Sequence, residues 1–171
     1  SITVDDDGSG DFSNIQAAIA NSRNGDIVVI YPGRYTGAGN REMDFLGKSI
    51  TVRSIDPTSV EIVNNTVIDC EEVSRAFRFH NSEGPGSILA GLKIVRALAC
   101  GDDARGGAIL CRGASPVIED CIFVANVAEG GIDESARGGA VYIESDSHPV
   151  IVRCVFKDNC ALAGDGHSSN N

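Results

Sequence analysis

The sequence predicts an all-β fold, a single-stranded right-handed parallel β-helix of about five coils with an N-terminal capping α-helix. Three observations indicate it: a strand pattern repeats at offsets of 32 and 33 residues, 20 of the 171 residues are glycine, and one amphipathic helical segment precedes the repeats. Many glycines without a collagen period indicate many tight turns. We expect one domain over 1–171, with a cap at 1–26, coils at 27–163 and a polar tail at 164–171.

The repeat is clearest in the second half of the chain. Ala104–Ala108 reads Ala-Arg-Gly-Gly-Ala and recurs as Ala136–Ala140 at an offset of 32. Pro116–Phe123 matches Pro149–Phe156 at an offset of 33, so one residue is inserted within Arg112–Ser115 or its counterpart. Each copy holds short runs rich in β-branched residues and bounded by turn residues, which are typical of strands. Stacked coil on coil, such strands form continuous parallel ladders.

Weaker copies extend the pattern upstream. Leu89–Ile94 aligns with Ile118–Phe123 at an offset of 29, and Arg75–Phe79 takes the place of the Gly-Gly-Ala strand. Before them, Ile50–Val52 and Val60–Val63 are further strand candidates. A leucine-rich repeat is the alternative architecture, but it needs more leucines than this chain has and a repeat of about 20–29 residues.

Alternation along the strands predicts that nine apolar side chains point inward in three stacked ranks. The ranks are Leu89, Ile118, Ile151; then Leu92, Cys121, Cys154; then Ile94, Phe123, Phe156. Asn126 and Asn159 also align, which predicts an asparagine ladder at a tight turn, where asparagine tolerates the left-handed region.

None of the six cysteines belongs to a Cys-x-x-Cys pair. We interpret Cys121 and Cys154 as reduced thiols of the core. A disulfide between them is the alternative, because stacked neighbours come close enough to bond. The sequence does not pair Cys100, Cys111 or Cys160.

The N-terminal segment has the pattern of a short amphipathic helix. Ser13 and Gln16 have the spacing of a capping box, and Gly25 is a candidate stop. One face carries apolar side chains, namely Ile15, Ala18 and Ile19. We expect this helix to lie over the open end of the first coil, since a solenoid end exposes apolar core and unpaired strand edges.

After this helix, Ile27–Tyr31 reads as a buried strand and Pro32–Gly33 as a turn. Together with Val4–Phe12 and Ile15–Ile19, the stretch Pro32–Tyr35 resembles the opening of pectin methylesterases and related pectin-lyase-like proteins. The later Gly-Gly-Ala coils are similar to those of secreted bacterial β-helix proteins of unassigned function. The resemblance implies the right-handed parallel β-helix and a secreted or cell-surface location.

Esterase activity does not follow from this resemblance. Pectin methylesterases carry a Gly-Tyr-Gln-Asp-Thr motif on later coils, and the chain has none. Gln16 is the only glutamine, and it lies in the cap. Whether the protein is an enzyme stays open, and the missing motif favours a protein without catalytic activity.

The charge of the chain narrows the possible partners. The net charge is −10, from 24 acidic and 14 basic residues, which argues against nucleic acid or an anionic membrane as a partner. The chain has no apolar stretch of the length that a transmembrane helix needs, so we expect no membrane insertion.

Two acidic pairs precede the two Ala-Arg-Gly-Gly strands and would neighbour each other across coils. The candidate metal ligands are Asp102, Asp103, Asp133 and Glu134, and Arg105 and Arg137 are candidate substrate-binding residues. Calcium takes six to eight oxygen ligands, so clustered carboxylates could hold it beside a uronic acid, as in the related pectate lyases. The alternative is a set of solvated loop tips with charge-balancing arginines.

Two hypotheses for function follow. The first is a non-catalytic extracellular or cell-surface β-helix module that acts as a scaffold or binds carbohydrate, with polysaccharide as the partner. The second is a carbohydrate-active enzyme, a polysaccharide lyase or hydrolase, or a fragment of one. No second capping helix is visible at the C-terminal end, so a homodimer through that end is expected unless Ala161–Asn171 folds over it.

Overall fold

A computed structural model of the chain describes residues 1–132 and 134–164. These residues form 18 strands and two short helices, α1 (Ile15–Asn21) and α2 (Val60–Asn65). In chain order the strands are β1 (Ile2–Val4), β2 (Ile27–Ile30), β3 (Gly33–Tyr35), β4 (Met43–Asp44), β5 (Thr51–Ser54), β6 (Thr66–Asp69), β7 (Phe77–Phe79), β8 (Ile88–Ala90), β9 (Lys93–Val95), β10 (Leu98–Gly101), β11 (Ile109–Cys111), β12 (Val117–Glu119), β13 (Ile122–Val124), β14 (Val127–Gly130), β15 (Val141–Ile143), β16 (Val150–Val152), β17 (Val155–Lys157) and β18 (Cys160–Leu162). Asp133 and most of the predicted tail, 165–171, lie outside the described residues.

The strands form four parallel sheets that the chain visits in a recurring order. Sheet A is β1-β2-β5-β8-β12-β16, sheet B is β3-β6-β9-β13-β17, sheet C is β4-β7-β11-β15, and sheet D is β10-β14-β18. Every pairing within them is parallel. The first four passes run from sheet A to sheet B and on to sheet C, and the third and fourth add sheet D between B and C. The last described pass runs from sheet A to sheet B to sheet D. The fold is therefore mostly β with stacked parallel strands, as predicted, and it fits the parallel β-helix class.

The register confirms two of the predicted inward ranks directly. They run Leu89, Ile118, Ile151 in sheet A and Ile94, Phe123, Phe156 in sheet B. Their members in the third and fourth passes are buried in one continuous apolar core. The inserted residue is also where the sequence places it, because the pairing offset is 32 at Ile109–Val141 and 33 at Val117–Val150.

The Gly-Gly pairs of the repeat allow neighbouring backbones to touch. A Cβ at Gly107 would lie 2.0 Å from the carbonyl oxygen of Gly139 and 2.6 Å from that of Val127. Gly106 has a φ of +66°, which also disfavours a side chain. The repeat therefore keeps glycine here because two backbones approach too closely for any Cβ.

The predicted asparagine ladder is present. Asn126 Nδ2 donates to Asn159 Oδ1 over 2.9 Å and to the carbonyl of Ile94 over 3.2 Å, while its Oδ1 accepts from the Ala97 amide over 2.9 Å. The predicted left-handed backbone is displaced by one residue, because the positive φ values belong to Ala125 (54°) and the corresponding residues of the adjacent coils. The asparagine itself stays outside the left-handed region and turns inward to bond the next coil.

The helix α1 buries the predicted face, Ile15, Ala18 and Ile19, against β1, β2 and β4. The predicted capping box is wrong. Asn14 is the N-cap, and its Oδ1 accepts from the Ala17 amide over 2.9 Å. Gln16 instead pairs its side-chain amide with the backbone of Asp44, at 2.8 and 3.1 Å.

Three element boundaries also differ from the sequence prediction. The helix α1 ends at Asn21, four residues before the predicted stop at Gly25, because the Ser22 amide and hydroxyl both bond the carbonyl of Ile19. The strand β2 ends at Ile30, and Tyr31 is 41% exposed. Gly33 opens β3 rather than completing a turn.

The strand predicted at Val60–Val63 is wrong, because this segment begins α2. The Ser59 hydroxyl accepts from the Ile62 amide and caps the helix, and Glu61 lies in its first turn. Only Val63 is buried, while Val60 is exposed. The helix packs beside β6 and β9, so it forms a ridge next to sheet B. In the described ranges, neither helix is long and apolar enough to cross a bilayer.

Candidate binding groove

The predicted site residues occupy two separate environments. Asp103 lies against two arginines, with its carboxylate oxygens 3.4 Å from Arg75 Nη2 and 3.3 Å from Arg112 Nη2. The side chains of Asp102 and Glu134 both lie within 4 Å of the position that a Cβ would take at Gly131. The structure therefore brings Asp102 and Glu134 to the same place and binds Asp103 into an arginine cluster, and Asp133 is outside the described residues.

The two predicted arginines are neighbours across coils. Arg105 and Arg137 form an isolated parallel bridge between the two copies of the repeat. The Arg105 guanidinium lies 5.7 Å from the centre of the Tyr142 ring and 3.6 Å from the Glu144 carboxylate. These contacts of the Arg105 side chain are those expected of a charge-balancing arginine on a sheet face.

Within 1–132 and 134–164, no group of three or more His, Cys, Asp or Glu side chains is placed to hold a metal ion. Because the predicted ligand set includes Asp133, the calcium site as a whole stays a prediction.

A groove lies on the outer face of sheet B, apart from the predicted site residues. It has a volume of about 600 Å³, and its floor is made by Val67, Val95 and Val124. One wall is the C-terminal end of α2, through Asn64 and Asn65. The polar rim carries three cations, Arg34, Lys93 and Arg96. Among the described residues no acidic side chain lines this groove, although the protein as a whole is strongly acidic.

Strand register explains how these side chains come together. Arg34 of β3 pairs with Val67 of β6, which pairs with Lys93 of β9, so their side chains share the outer face. Arg96 follows β9 directly and takes a left-handed φ of 51°, which turns the chain at the corner. With Val124 of β13, which pairs with Val95, residues from four coils contribute to one surface.

A buried carboxylate holds the two arginines in place. Asp69 is fully buried, and its side chain accepts from Arg96 Nε over 2.9 Å and Arg96 Nη2 over 2.6 Å, and also from Arg34 Nη2. Burial opposes ionisation of Asp69, but hydrogen bonds from Arg96, the Glu71 amide and Arg34 outweigh it and lower the carboxyl pKa. Asp69 therefore remains charged and fixes the orientation of both guanidinium groups.

The remaining cation has a weaker tether. Lys93 Nζ donates to Asn64 Oδ1 over 3.2 Å, which leaves donors for a ligand. The groove has three cations, of which Arg34 and Arg96 share one carboxylate, so positive charge exceeds negative charge among these four side chains. An apolar floor with cationic edges suits a ligand that combines apolar faces with carboxylate groups.

Sequence reasoning missed this groove because its residues come from the irregular first coils. Arg34 and Val67 are 33 residues apart, but Val67 and Lys93 are only 26 apart, because the first interval contains α2 and the second does not. One signal was available, because the offset of 29 aligns Arg96 with Ala125 at the corner before the asparagine ladder. No sequence pattern indicates that Asp69 is buried and bonded to Arg34 and Arg96.

The C-terminal face of the described chain is a second exposed feature. Sheets A, B and D end in β16, β17 and β18 of the last pass, and sheet C ends in β15 of the pass before it. Apolar side chains that are buried one coil earlier are open there, including Phe156 at 48% and Ile143 at 42% exposure. Together with Ala140, Val141 and Ile151, they line a depression of about 460 Å³.

The fold and the groove define a parallel β-solenoid with a cationic groove on one sheet. No family model, curated protein or solved structure matches the chain.

Proposed function

We propose that the protein is a secreted or cell-surface, non-catalytic binding module whose ligand is an acidic polysaccharide of the polyuronate type. The observation that carries the proposal is the pair Arg34 and Arg96, oriented by buried Asp69 at the edge of an apolar floor. Guanidinium groups recognise carboxylates through paired hydrogen bonds. Sugar rings present the apolar faces that Val67, Val95 and Val124 would contact.

The same proposal includes the finer form of the fold, a right-handed pectin-lyase-like β-helix of one domain with α1 as the lid of its first coil. Its support is the packing of the apolar face of α1 on β1, β2 and β4, together with the N-terminal resemblance. A lid at this end shields the edge strands of the first coil from other chains.

A binding assay on matched variants tests the proposal. Titration of the protein with polygalacturonate, followed by calorimetry, should show binding that weakens at high salt, because charges carry part of the affinity. Lys93→Gln and Arg34→Gln should each weaken it by roughly tenfold, since Arg96 remains to neutralise Asp69. Arg23→Gln removes an exposed arginine outside the groove and should bind as wild type. Equal affinity in all four proteins would overturn the proposed site.

The same sample separates a binding module from an enzyme. Incubation with polygalacturonate and calcium, followed by absorbance of unsaturated uronate and by reducing-end assay, should give no product. Product formation that Lys93→Gln reduces would mean that the groove is an active site, and the protein would then be a polysaccharide lyase or hydrolase.

We also propose that the partner at the C-terminal face is a second copy of this chain. The face has the outline of a coil, and within residues 1–132 and 134–164 the final strand of each of the four sheets has a partner on one side only, so another coil of the same outline matches it. Because α1 packs on β1 and β2 at the other end, two copies would meet C-terminal face to C-terminal face about a twofold axis.

Sedimentation equilibrium tests this pairing. Wild type should dimerise with increasing concentration, and Phe156→Ser should shift the equilibrium to monomer. Leu46→Ser is the control, since Leu46 is 47% exposed and lies far along the chain from this face. A wild type that stays monomeric, or a dimer that Phe156→Ser leaves intact, would overturn the pairing.

A further inference from the structure

Two thiols lie at equivalent corners of adjacent coils. Cys121 precedes β13 and Cys154 precedes β17, and each follows a residue with left-handed φ, Asp120 or Arg153, both at 53°. Backbone bonds hold the two corners together, because the Val155 amide donates to the carbonyl of Cys121 over 2.9 Å. The pair is therefore in direct parallel register, where neighbouring strands lie about 4.8 Å apart.

The two sulfur atoms have similar surroundings one coil apart. Cys121 Sγ lies 3.9 Å from the carbonyl oxygen of Leu89, and Cys154 Sγ lies 3.6 Å from that of Ile118. Cys121 is fully buried, whereas Cys154 belongs to the last pass and is only partly buried. Both thiols are free in the structure.

We propose that Cys121 and Cys154 form a reversible disulfide that fastens the last coil to the preceding one. The distance between parallel neighbours falls within the range of about 4.4–6.8 Å that disulfides span between Cα atoms. The partly buried thiol of Cys154 and the buried thiol of Cys121 have different roles in the reaction. Cys154 meets the oxidant, and Cys121 resolves the intermediate.

The electrostatics of the pair agree with these roles. The pKa of the Cys121 thiol is raised by burial, so this group keeps its proton. A hydrogen bond with Cys121 lowers the pKa of the Cys154 thiol. Cys154 is thus the thiol with the larger thiolate fraction, and thiolates are the attacking species in exchange.

The reaction is a thiol–disulfide exchange with a small-molecule disulfide such as oxidised glutathione. The Cys154 thiolate attacks one sulfur of the oxidant, the S–S bond breaks, and one glutathione leaves as a thiol. Cys121 then loses its proton and attacks Cys154 Sγ, which releases the second glutathione. The protein loses two protons and two electrons, and the glutathione disulfide that accepts them is reduced to two thiols.

Peptide mapping of a Cys160→Ser variant tests the proposal. This variant retains exposed Cys100, whose mixed disulfide with glutathione shows that the oxidant is active. After incubation with oxidised glutathione, the Cys121 and Cys154 peptides should appear as one linked species, two hydrogens lighter than their sum. Addition of reduced glutathione should reverse the link.

A further substitution identifies the roles of the two thiols. In Cys121→Ser/Cys160→Ser, Cys154 should accumulate as a stable mixed disulfide, because no resolving thiol remains. The linked protein should also melt at a higher temperature than the reduced one, since the link closes a loop of the chain. If Cys100 is modified while Cys121 and Cys154 remain thiols, or if Cys154 keeps its glutathione with Cys121 present, the proposal fails.

Discussion

The rings of Phe123 and Phe156 stack 4.9 Å apart with an angle of 8° between their planes, yet Phe123 is fully buried and Phe156 is 48% exposed. Phe123→Ala should therefore lower the free energy of unfolding by about 3–5 kcal/mol, whereas Phe156→Ala should cost about 1–2 kcal/mol. Urea unfolding followed by circular dichroism gives both values. Equal losses would contradict the end position of Phe156.

In the asparagine ladder too, substitution of the buried residue should cost more stability than substitution of its partner in the last coil. Asn126 is fully buried and bonds the Ala97 amide, the carbonyl of Ile94 and Asn159. Asn126→Ala leaves these buried groups without partners and should lower the free energy of unfolding by about 3 kcal/mol, with a smaller loss for Asn159→Ala. Asn21→Ala, at an exposed helix position, is the control and should change stability little. A neutral Asn126→Ala would show that the ladder is not needed.

Backbone contact at the Gly-Gly pairs predicts that a single added methyl group will strongly destabilise the fold. Gly107→Ala places a Cβ 2.0 Å from a carbonyl oxygen of the next coil, so soluble expression and the thermal transition should both be lost or greatly reduced. Gly84→Ala is the matched control, because no atom lies within 4 Å of the Cβ that it adds. Similar melting of the two variants would mean that the coils do not touch at Gly107.

Stability should depend on pH through Asp69. Its folded pKa is below the ordinary value of 3.8, so its contribution is complete above that value and is lost as the pH falls through the folded pKa. Asp69→Asn should cost about 2 kcal/mol at pH 6, and the difference from wild type should shrink below about pH 4. Exposed Asp146→Asn is the control. A difference that stays constant between pH 6 and pH 3 would contradict the charged state of Asp69.

The regular coils could be predicted because similar residues recur in the sequence at nearly constant offsets. Ile118 and Phe123 stack as expected, since strand alternation and the offsets of 29 and 33 determine register by themselves. The strand predicted at Val60–Val63 is wrong. β-Branched residues favour strands, but the hydroxyl of Ser59 caps this segment and stabilises it as a helix.

The groove could not be predicted, because it depends on contacts between coils of unequal length. Asp69 reaches Arg34 and Arg96 across 35 and 27 residues, and neither separation is a repeat offset. The predicted cluster around Asp102 and Arg105 adjoins the Ala-Arg-Gly-Gly repeat. A repeat identifies structurally equivalent positions, but it does not identify a binding site.

Amide chemical-shift mapping with a short oligogalacturonide tests most directly whether the cationic groove is the binding surface. Titration into ¹⁵N-labelled protein should shift the amides of Val67, Lys93, Val95 and Val124 and the side-chain amides of Asn64 and Asn65, and Lys93→Gln should reduce those shifts. A neutral oligosaccharide of the same length should shift them much less. Shifts confined to sheets A and C, or no shifts at millimolar ligand, would contradict the account.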